Sequence, residues 1–285
     1  MTDTFYQFLQ SVYSRDLSER KVWYAGVAAA YAQTRPRYPI AFLERVADLA
    51  QLPANACVLE IGCGPATATV DLAKLGYTLH SLEPAPDTFA IAQQICADYP
   101  NVTLYNTSFE EWSLESEGAE SKPELLRFDA VIAANSWHWL TPTIAEPKAA
   151  QLLKPGGRLI LLWNTVPQLD ASVFQRLELI YQTLAPNLGG YETPEQRAAR
   201  LKTFEDRIQA SDSFNLIATT SWRSQRQYTA PDYVGLLSTL SPYIALEPEP
   251  RQQLLTALQA ALEQVPQSLE TGYTSIAQIA RLSGR

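Results

Sequence analysis

Cysteine, histidine and long apolar runs are scarce in this chain, and each scarcity removes a class of explanation. The 285 residues include three cysteines. Cys57, Cys63 and Cys96 are odd in number and widely spaced, so the expectation is a reduced, cytoplasmic protein without a disulfide framework. None stands in a Cys-x-x-Cys pair, and His80 and His138 are the only imidazoles, so no metal site is predicted. No apolar run reaches the roughly 18 residues of a membrane span, and the N-terminal segment is charged and amphipathic rather than an apolar leader. Basic residues are also in deficit, 22 Lys and Arg against 30 Asp and Glu for a net charge of -8. That balance opposes a polyanion, because binding nucleic acid depends on neutralising several phosphates. A small molecule is the expected partner, with no nucleic acid, membrane or obligate protein partner evident.

What is present describes an ordered globular chain, 46% hydrophobic and 18% charged, long enough for one large domain with a cap. Apolar and aromatic positions from Phe5 to Tyr31 fall at helical spacing, predicting two helices broken near Asp16 to Glu19. Strands are predicted at Cys57 to Ile61, Thr78 to Leu82, Val102 to Asn106, Asp129 to Ala133 and Arg158 to Trp163. Helices at Ala41 to Ala50, Thr67 to Leu75, Thr88 to Asp98 and Thr143 to Leu153 alternate with them. That alternation predicts an α/β fold, a parallel sheet with helices on both faces. Ser113 to Glu124 is polar and acidic and reads as an exposed loop. Residues 169 to 210 read as helical, broken at Pro186 to Thr193. Phe214 to Thr229 and Tyr273 to Ile279 read as strands, with helices at Tyr233 to Leu240 and Arg251 to Val265 between them.

The most informative stretch is Val58-Leu59-Glu60-Ile61-Gly62-Cys63-Gly64-Pro65-Ala66-Thr67. An apolar strand ends there in a turn of small residues, and the following run reads as a helix whose free amides face the turn. Glu83, 19 positions after Gly64, ends the next strand where an acid accepts hydrogen bonds from ribose hydroxyls. Nicotinamide dinucleotides share this outline, but Thr67 stands where their motif has a third glycine, and Pro65 removes an amide that a diphosphate would use. Glu60 at the mouth of the turn is expected to repel a pyrophosphate and attract a sulfonium. A cationic ligand with an adenosine end is therefore favoured. Gly62→Val is expected to abolish its binding with the fold retained.

Together with Phe128-Asp129-Ala130-Val131-Ile132-Ala133-Ala134-Asn135 and Leu153-Lys154-Pro155-Gly156-Gly157-Arg158, these residues resemble the class I methyltransferases that use S-adenosylmethionine. The segments Arg35-Pro36-Arg37-Tyr38-Pro39, Trp137-His138-Trp139 and Leu162-Trp163-Asn164 resemble a small-molecule branch that includes trans-aconitate methyltransferases. The resemblance implies one domain over 1–285 with a doubly wound, mostly parallel, Rossmann-like sheet of seven strands, the last two an antiparallel hairpin. Residues 1–39 would form a helical lid, 40–165 the cofactor-binding core, 169–210 a helical cap over the substrate, and 211–285 the part that completes the sheet.

It also implies a site. Glu60, Gly62, Cys63, Gly64, Glu83 and Pro84 would hold S-adenosylmethionine, with Ser108 and Phe109 at its adenine, and Asn135, Ser136 and Arg35 completing the contacts. Ala66, where relatives often have glycine, is expected to cost little. Tyr31, Arg37, Tyr38, Trp137, Trp139 and Trp163 would line the substrate. His138 is a candidate base, or a packed histidine between two tryptophans. A carboxylate or hydroxyl oxygen is the expected methyl acceptor, with nitrogen next. The segment after the fourth strand lacks the Asn- or Asp-Pro-Pro-aromatic pattern of base-modifying amino-methyltransferases, which disfavours nucleobase amines. A nicotinamide oxidoreductase, an aminopropyl transferase and a non-catalytic nucleoside-binding protein stay open as alternatives.

Overall fold

Strand β1 (Cys57–Ile61) is buried from Val58 onward, as a strand must be when it has neighbours on both sides and helices on both faces. The structure, a computed structural model, describes residues 10–113, 127–188, 192–265 and 268–284. β1 pairs in parallel with β2 (Thr78–Leu82) on one side and β4 (Phe128–Ala134) on the other. β3 (Val102–Tyr105) lies outside β2, and β5 (Leu153–Asn164) outside β4. The order is thus β3-β2-β1-β4-β5, and the direction of winding reverses between β1 and β4. Such a reversal leaves a crevice at the carboxyl ends of those strands.

The C-terminal strand β8 (Leu269–Leu282) runs antiparallel to β5, with Arg158 opposite Arg281 and Asn164 opposite Ser275. β7 (Phe214–Tyr228) covers the other flank of β8, also antiparallel. The expected closing pair is therefore present, joined through helices rather than a tight turn. A two-residue strand β6 (Gln168–Leu169) continues the line of β5 along β8 and makes the sheet eight-stranded. β8 begins four residues before the predicted Tyr273 because Leu269-Glu270-Thr271-Gly272, weak in strand propensity and so not expected from sequence, is held by pairing with β6 and β7.

One face of the sheet packs under helices Pro142–Leu152 and Pro194–Gln209, the other under Ile40–Ala50 and Thr69–Lys74. A third core lies among helices Ala171–Leu184, Ala230–Ser238 and Pro248–Leu262, where the Tyr181 and Tyr243 hydroxyls meet at 2.6 Å. The segment 169–210 is thus divided between two tasks. Its second helix seals the sheet, with Phe204 stacked on Trp163 at 4.5 Å and the Gln278 side chain donating to the Leu201 carbonyl. Among the described residues none of 169–210 lines the cleft at the carboxyl ends of β1 to β4; its two helices pack into the core on the sheet and the third core. The N-terminal segment is helical at 10–13, breaks at 14–16 beside the expected Asp16, and continues in helices Leu17–Lys21 and Ala28–Thr34, with a second break at 22–24 that the sequence did not indicate. The predicted loop after Ser113 lies outside the described residues from 114 onward. No helix among the described residues is long and apolar enough to cross a membrane.

Candidate functional site

The crevice at the carboxyl ends of β1 to β4 opens into a cleft of about 850 Å³ that includes open solvent. Its floor is the turn after β1. Gly62, Gly64 and Ala66 all have left-handed backbone, at φ 63°, 58° and 61°, and the Cys63 amide donates to the Leu82 carbonyl at 2.9 Å, tying the turn to β2. A Cβ on Gly62 would lie 2.8 Å from the Ser136 Cβ, whereas one on Gly64 would meet no protein atom within 4 Å. Gly62 therefore permits close packing of protein on protein, while Gly64 leaves room for a ligand.

Ala66 achieves the same backbone with a side chain. Its methyl is buried with Cys63, Val70, Ala92 and Cys96, which recovers about 0.8 kcal/mol against a left-handed cost of about 1–2 kcal/mol. The small net cost expected from the sequence thus has two opposed parts. Thermal unfolding is expected to place Ala66→Gly within about 1 kcal/mol of the parent. Ala66→Val, β-branched at positive φ, should lose about 2–4 kcal/mol.

Glu83 stands at the end of β2 and lines the cleft. Its Oε2 accepts from the Gly64 amide at 3.0 Å and its Oε1 from the Ala85 amide at 2.9 Å. A carboxylate has about four acceptor sites, so two remain for a ligand. Burial pushes the Glu83 pKa up to about 7, opposed by the two amide bonds and reinforced by the neighbouring Glu60. Glu60 itself is fully buried, accepts from the Ser81 hydroxyl at 2.8 Å and does not line the cleft. Burial raises its pKa to about 7 as well. The expectation that Glu60 guards the mouth of the turn is corrected: even-numbered position 60 on β1 points into the core beside β2, and the carboxylate facing the cleft is Glu83.

Past β4, Asn135 adopts the left-handed backbone that asparagine tolerates, φ 54°. It is fixed by its amide donating to Leu162 O at 2.8 Å and its Oδ1 accepting from the Asn164 amide at 3.1 Å. The Ser136 hydroxyl donates to the Ile61 carbonyl and locks the β4 loop to β1. Past β3, Ser108 and Phe109 line the cleft, and the Lys148 ammonium holds that loop by donating to the carbonyls of Phe109, Glu110 and Trp112. Pro84 lines the cleft beside Glu83, whereas Cys63 is buried and is not among the lining residues.

The N-terminal segment roofs the cleft with Leu17, Arg20, Lys21, Tyr24, Ala28 and Tyr31. Tyr24 packs edge-on against Trp139 at 5.5 Å and Tyr31 at 5.7 Å, and its hydroxyl meets the Ser241 hydroxyl at 3.0 Å. Burial pushes the Tyr24 pKa up to about 12. Arg20 donates to the Trp139 carbonyl, to Thr141 Oγ1 at 2.9 Å and to Glu110 Oε1 at 3.4 Å. Glu110 also accepts from the Thr141 amide and hydroxyl at 3.0 and 3.1 Å. The roof is therefore fastened to the loops after β3 and β4 together.

Several expected contacts lie elsewhere. Arg35 donates to Thr239 Oγ1 and O at 2.8 and 2.9 Å, its guanidinium 4.9 Å from the Tyr31 ring, so it supports a wall residue. Arg37 pairs with Asp71 at 2.8 Å. Tyr38 is buried against Phe42, and Trp137 is core. Trp163 is core too, its Nε1 donating to Gln278 Oε1 at 3.1 Å. His138 does not line the cleft; its ring lies 5.4 Å from Trp139 and 5.8 Å from Trp163. Burial, with the Arg35 charge second, pushes its pKa down to about 4, which favours the packed-histidine alternative over the base. Of the substrate-lining expectations, Tyr31 and Trp139 reach the cleft.

Sequence reasoning missed Arg20, Tyr24, Thr88 and Glu110. A signal for the roof existed: Leu17, Tyr24, Ala28 and Tyr31 are spaced by seven, four and three residues, one face of a helical repeat.

Residues 59–159 match the family model of the methyltransferase domain. An uncharacterized methyltransferase of Mycobacterium tuberculosis is 32% identical over 152 residues, 53% of this chain and 54% of that protein. The chain thus spans about half the length of that curated relative. A ubiquinone biosynthesis O-methyltransferase of Xanthomonas campestris is 28% identical over 69% of this chain and 80% of its own. Among solved structures, a protein assigned as a type II methyltransferase from Anaeromyxobacter dehalogenans has the same fold. It covers 87% of this chain and 97% of its own at 20% identity, with a TM-score of 0.59. The stretch matched by that family model, residues 59–159, runs from within β1 through β4 and contains the turns that frame the cleft.

Proposed function

We propose that the chain binds S-adenosylmethionine in this cleft and transfers its methyl group to an oxygen of a small organic molecule, a hydroxyl ahead of a carboxylate. The observation that carries the reading is the Glu83 carboxylate held against the Gly64 amide at 3.0 Å, with two acceptor sites left for the vicinal hydroxyls of a ribose. Pro65 in the same turn removes an amide that a diphosphate would use. The open space beside Gly64 and the volume of the cleft fit an adenosyl ligand. When bound, that ligand supplies a methyl group already activated on a sulfonium. The protein's part is alignment and exclusion of water. Asn135 and Ser136 fix the floor nearest the roof aromatics, and Tyr24, Tyr31 and Trp139 give a desolvated wall with π surface for a cation. Arg35 and Arg37, the two arginines expected at the ligand and able to pair with a substrate carboxylate, are committed to Thr239 and to Asp71, which favours the hydroxyl. The O-methyltransferase name of the Xanthomonas relative supports oxygen as the acceptor atom.

Titration calorimetry with S-adenosylhomocysteine and with NAD tests the reading. Binding of the first and not the second is expected, and tight binding of NAD alone overturns it. Glu83→Ala should weaken S-adenosylhomocysteine by about 1–3 kcal/mol, the range for a lost hydrogen bond to a charged group. Ribose hydroxyls donate to the ionised carboxylate, so ligand binding lowers a pKa that stands at about 7 in the free protein. Affinity is then fully present about one unit above pH 7 and falls as pH drops through 7, approaching tenfold per unit below it. A flat profile from pH 5.5 to 8 removes Glu83 from the contact.

A further inference from the structure

Thr88 lies in the first turn of helix Pro86–Cys96, is 4% exposed and lines the cleft on the same wall as Glu83. Its hydroxyl has no hydrogen-bond partner among the described residues. Two other helical threonines satisfy themselves through the carbonyl four residues back: Thr34 donates to Ala30 O at 2.6 Å and Thr183 to Leu179 O at 2.8 Å. Thr69, also buried and without a partner at hydrogen-bond geometry among the described residues, does not line the cleft, whereas Thr88 does. For Thr88 that carbonyl belongs to Pro84, before the helix, and it accepts instead from the Asn106 side chain at 3.3 Å. A buried hydroxyl left without a partner is unfavourable, and native proteins seldom keep one without a use. Threonine in a helix holds two χ1 wells, and rotation between them exchanges the methyl and the hydroxyl at the cleft wall.

We infer that the Thr88 hydroxyl is a recognition group for the nucleoside half of the ligand, hydrogen-bonding its ribose or adenine beside the Glu83 carboxylate. This rests on the methyl-donor reading above. Neighbouring chemistry supports the assignment to the nucleoside half: Glu83 and Ala85 precede Thr88 on this wall, and Thr107 and Ser108 follow β3 beside it. A valine, nearly isosteric, removes the hydroxyl and with it the unsatisfied group, so the free protein and the complex should respond in opposite directions.

The experiment compares Thr88→Val and Thr88→Ser with the parent by calorimetry and by melting of the ligand-free protein. Two probes are used: S-adenosylhomocysteine, and 5′-methylthioadenosine, which keeps the nucleoside and lacks the amino-acid end. Thr88→Val should weaken both probes by the same factor, roughly three- to tenfold. It should leave the ligand-free melting temperature unchanged or higher. Thr88→Ser should bind within about twofold of the parent. Equal affinity of valine variant and parent overturns the inference, as does a loss confined to S-adenosylhomocysteine. A lowered melting temperature of the ligand-free valine variant marks a structural hydroxyl and also overturns it. Failure of the parent to bind either probe overturns the methyl-donor reading and this inference with it, whereas parent binding with an unaffected valine variant overturns this inference alone.

Discussion

Gly62→Val is expected to abolish binding of S-adenosylhomocysteine and to lower folding stability by about 2–5 kcal/mol, the sum of a left-handed backbone cost and an overpacking cost. The two parts have separate sources, the φ of 63° at Gly62 for the first and a single contact for the second. A Cβ at 62 meets the Ser136 Cβ at 2.8 Å, and Ser136 has no room to retreat because its hydroxyl is bonded to the Ile61 carbonyl. The clash therefore pushes β1 from β4 at the point where the cleft begins. The fold is still expected to be retained, at lower stability. Gly64 supplies the control. Its Cβ direction is open within 4 Å and its φ is 58°, so Gly64→Ala should cost about 1–2 kcal/mol of stability from backbone alone and still lose ligand by occupying its space. Denaturant unfolding and calorimetry on the two variants separate the roles. If Gly64→Ala destabilises more than Gly62→Val, the assignment of protein packing to 62 and ligand space to 64 is wrong.

The contrast between these glycines also marks how far the sequence could be read. Apolar runs, small-residue turns and alternation with helices identify β1 to β5 and the positions of Gly62, Gly64, Glu83, Ser108, Phe109, Asn135 and Ser136, all of which reach the intended end of the sheet. Those residues sit at strand ends, where topology alone decides which way they face. Reading failed where orientation depends on tertiary partners. Trp137, His138 and Trp139 are consecutive in a 3-10 turn, and only Trp139 turns to the cleft. Nothing local distinguishes them; Phe204, from a helix some forty residues on, captures Trp163, which in turn packs beside His138. The resemblance places Arg35 and Arg37 at the ligand, yet their partners Thr239 and Asp71 are set by the way helices pack. Glu60 was given a charge role that burial removes.

Removing Arg20 is expected to release the roof without unfolding the core. Arg20 and Glu110 bury their side chains to 9% and 7% exposure, and deleting one member of a buried pair typically costs about 3–5 kcal/mol because the other charge is stranded. The two deletions are unequal here. Without Arg20, Glu110 keeps the Thr141 amide and hydroxyl at 3.0 and 3.1 Å. Without Glu110, the guanidinium retains neutral acceptors only, the Trp139 carbonyl and Thr141 hydroxyl, so Glu110→Ala should cost more than Arg20→Met. The loss should also be local. Residues 33–35 are pinned independently to β7: Arg226 donates to Gln33 O and Arg35 O at 3.2 and 3.0 Å, and the Tyr228 hydroxyl to Thr34 O at 2.8 Å. Residues 10–24 lack those ties to β7; apart from Arg20 they are held by the Lys21–Glu111 pair and by the Tyr24 and Tyr13 hydroxyls at Ser241 and Arg207, and they are expected to open first. A local loss of about 3 kcal/mol corresponds to roughly a hundredfold fall in amide protection. Hydrogen exchange of Arg20→Met should show that fall across residues 10–24, with protection of β1, β4 and β5 unchanged, and S-adenosylhomocysteine should dissociate faster because a roofed ligand leaves only when the roof opens. Uniform loss of protection through the sheet would mean that the pair holds the fold rather than the roof. Unchanged dissociation despite a freed roof would mean that the ligand enters and leaves by another route.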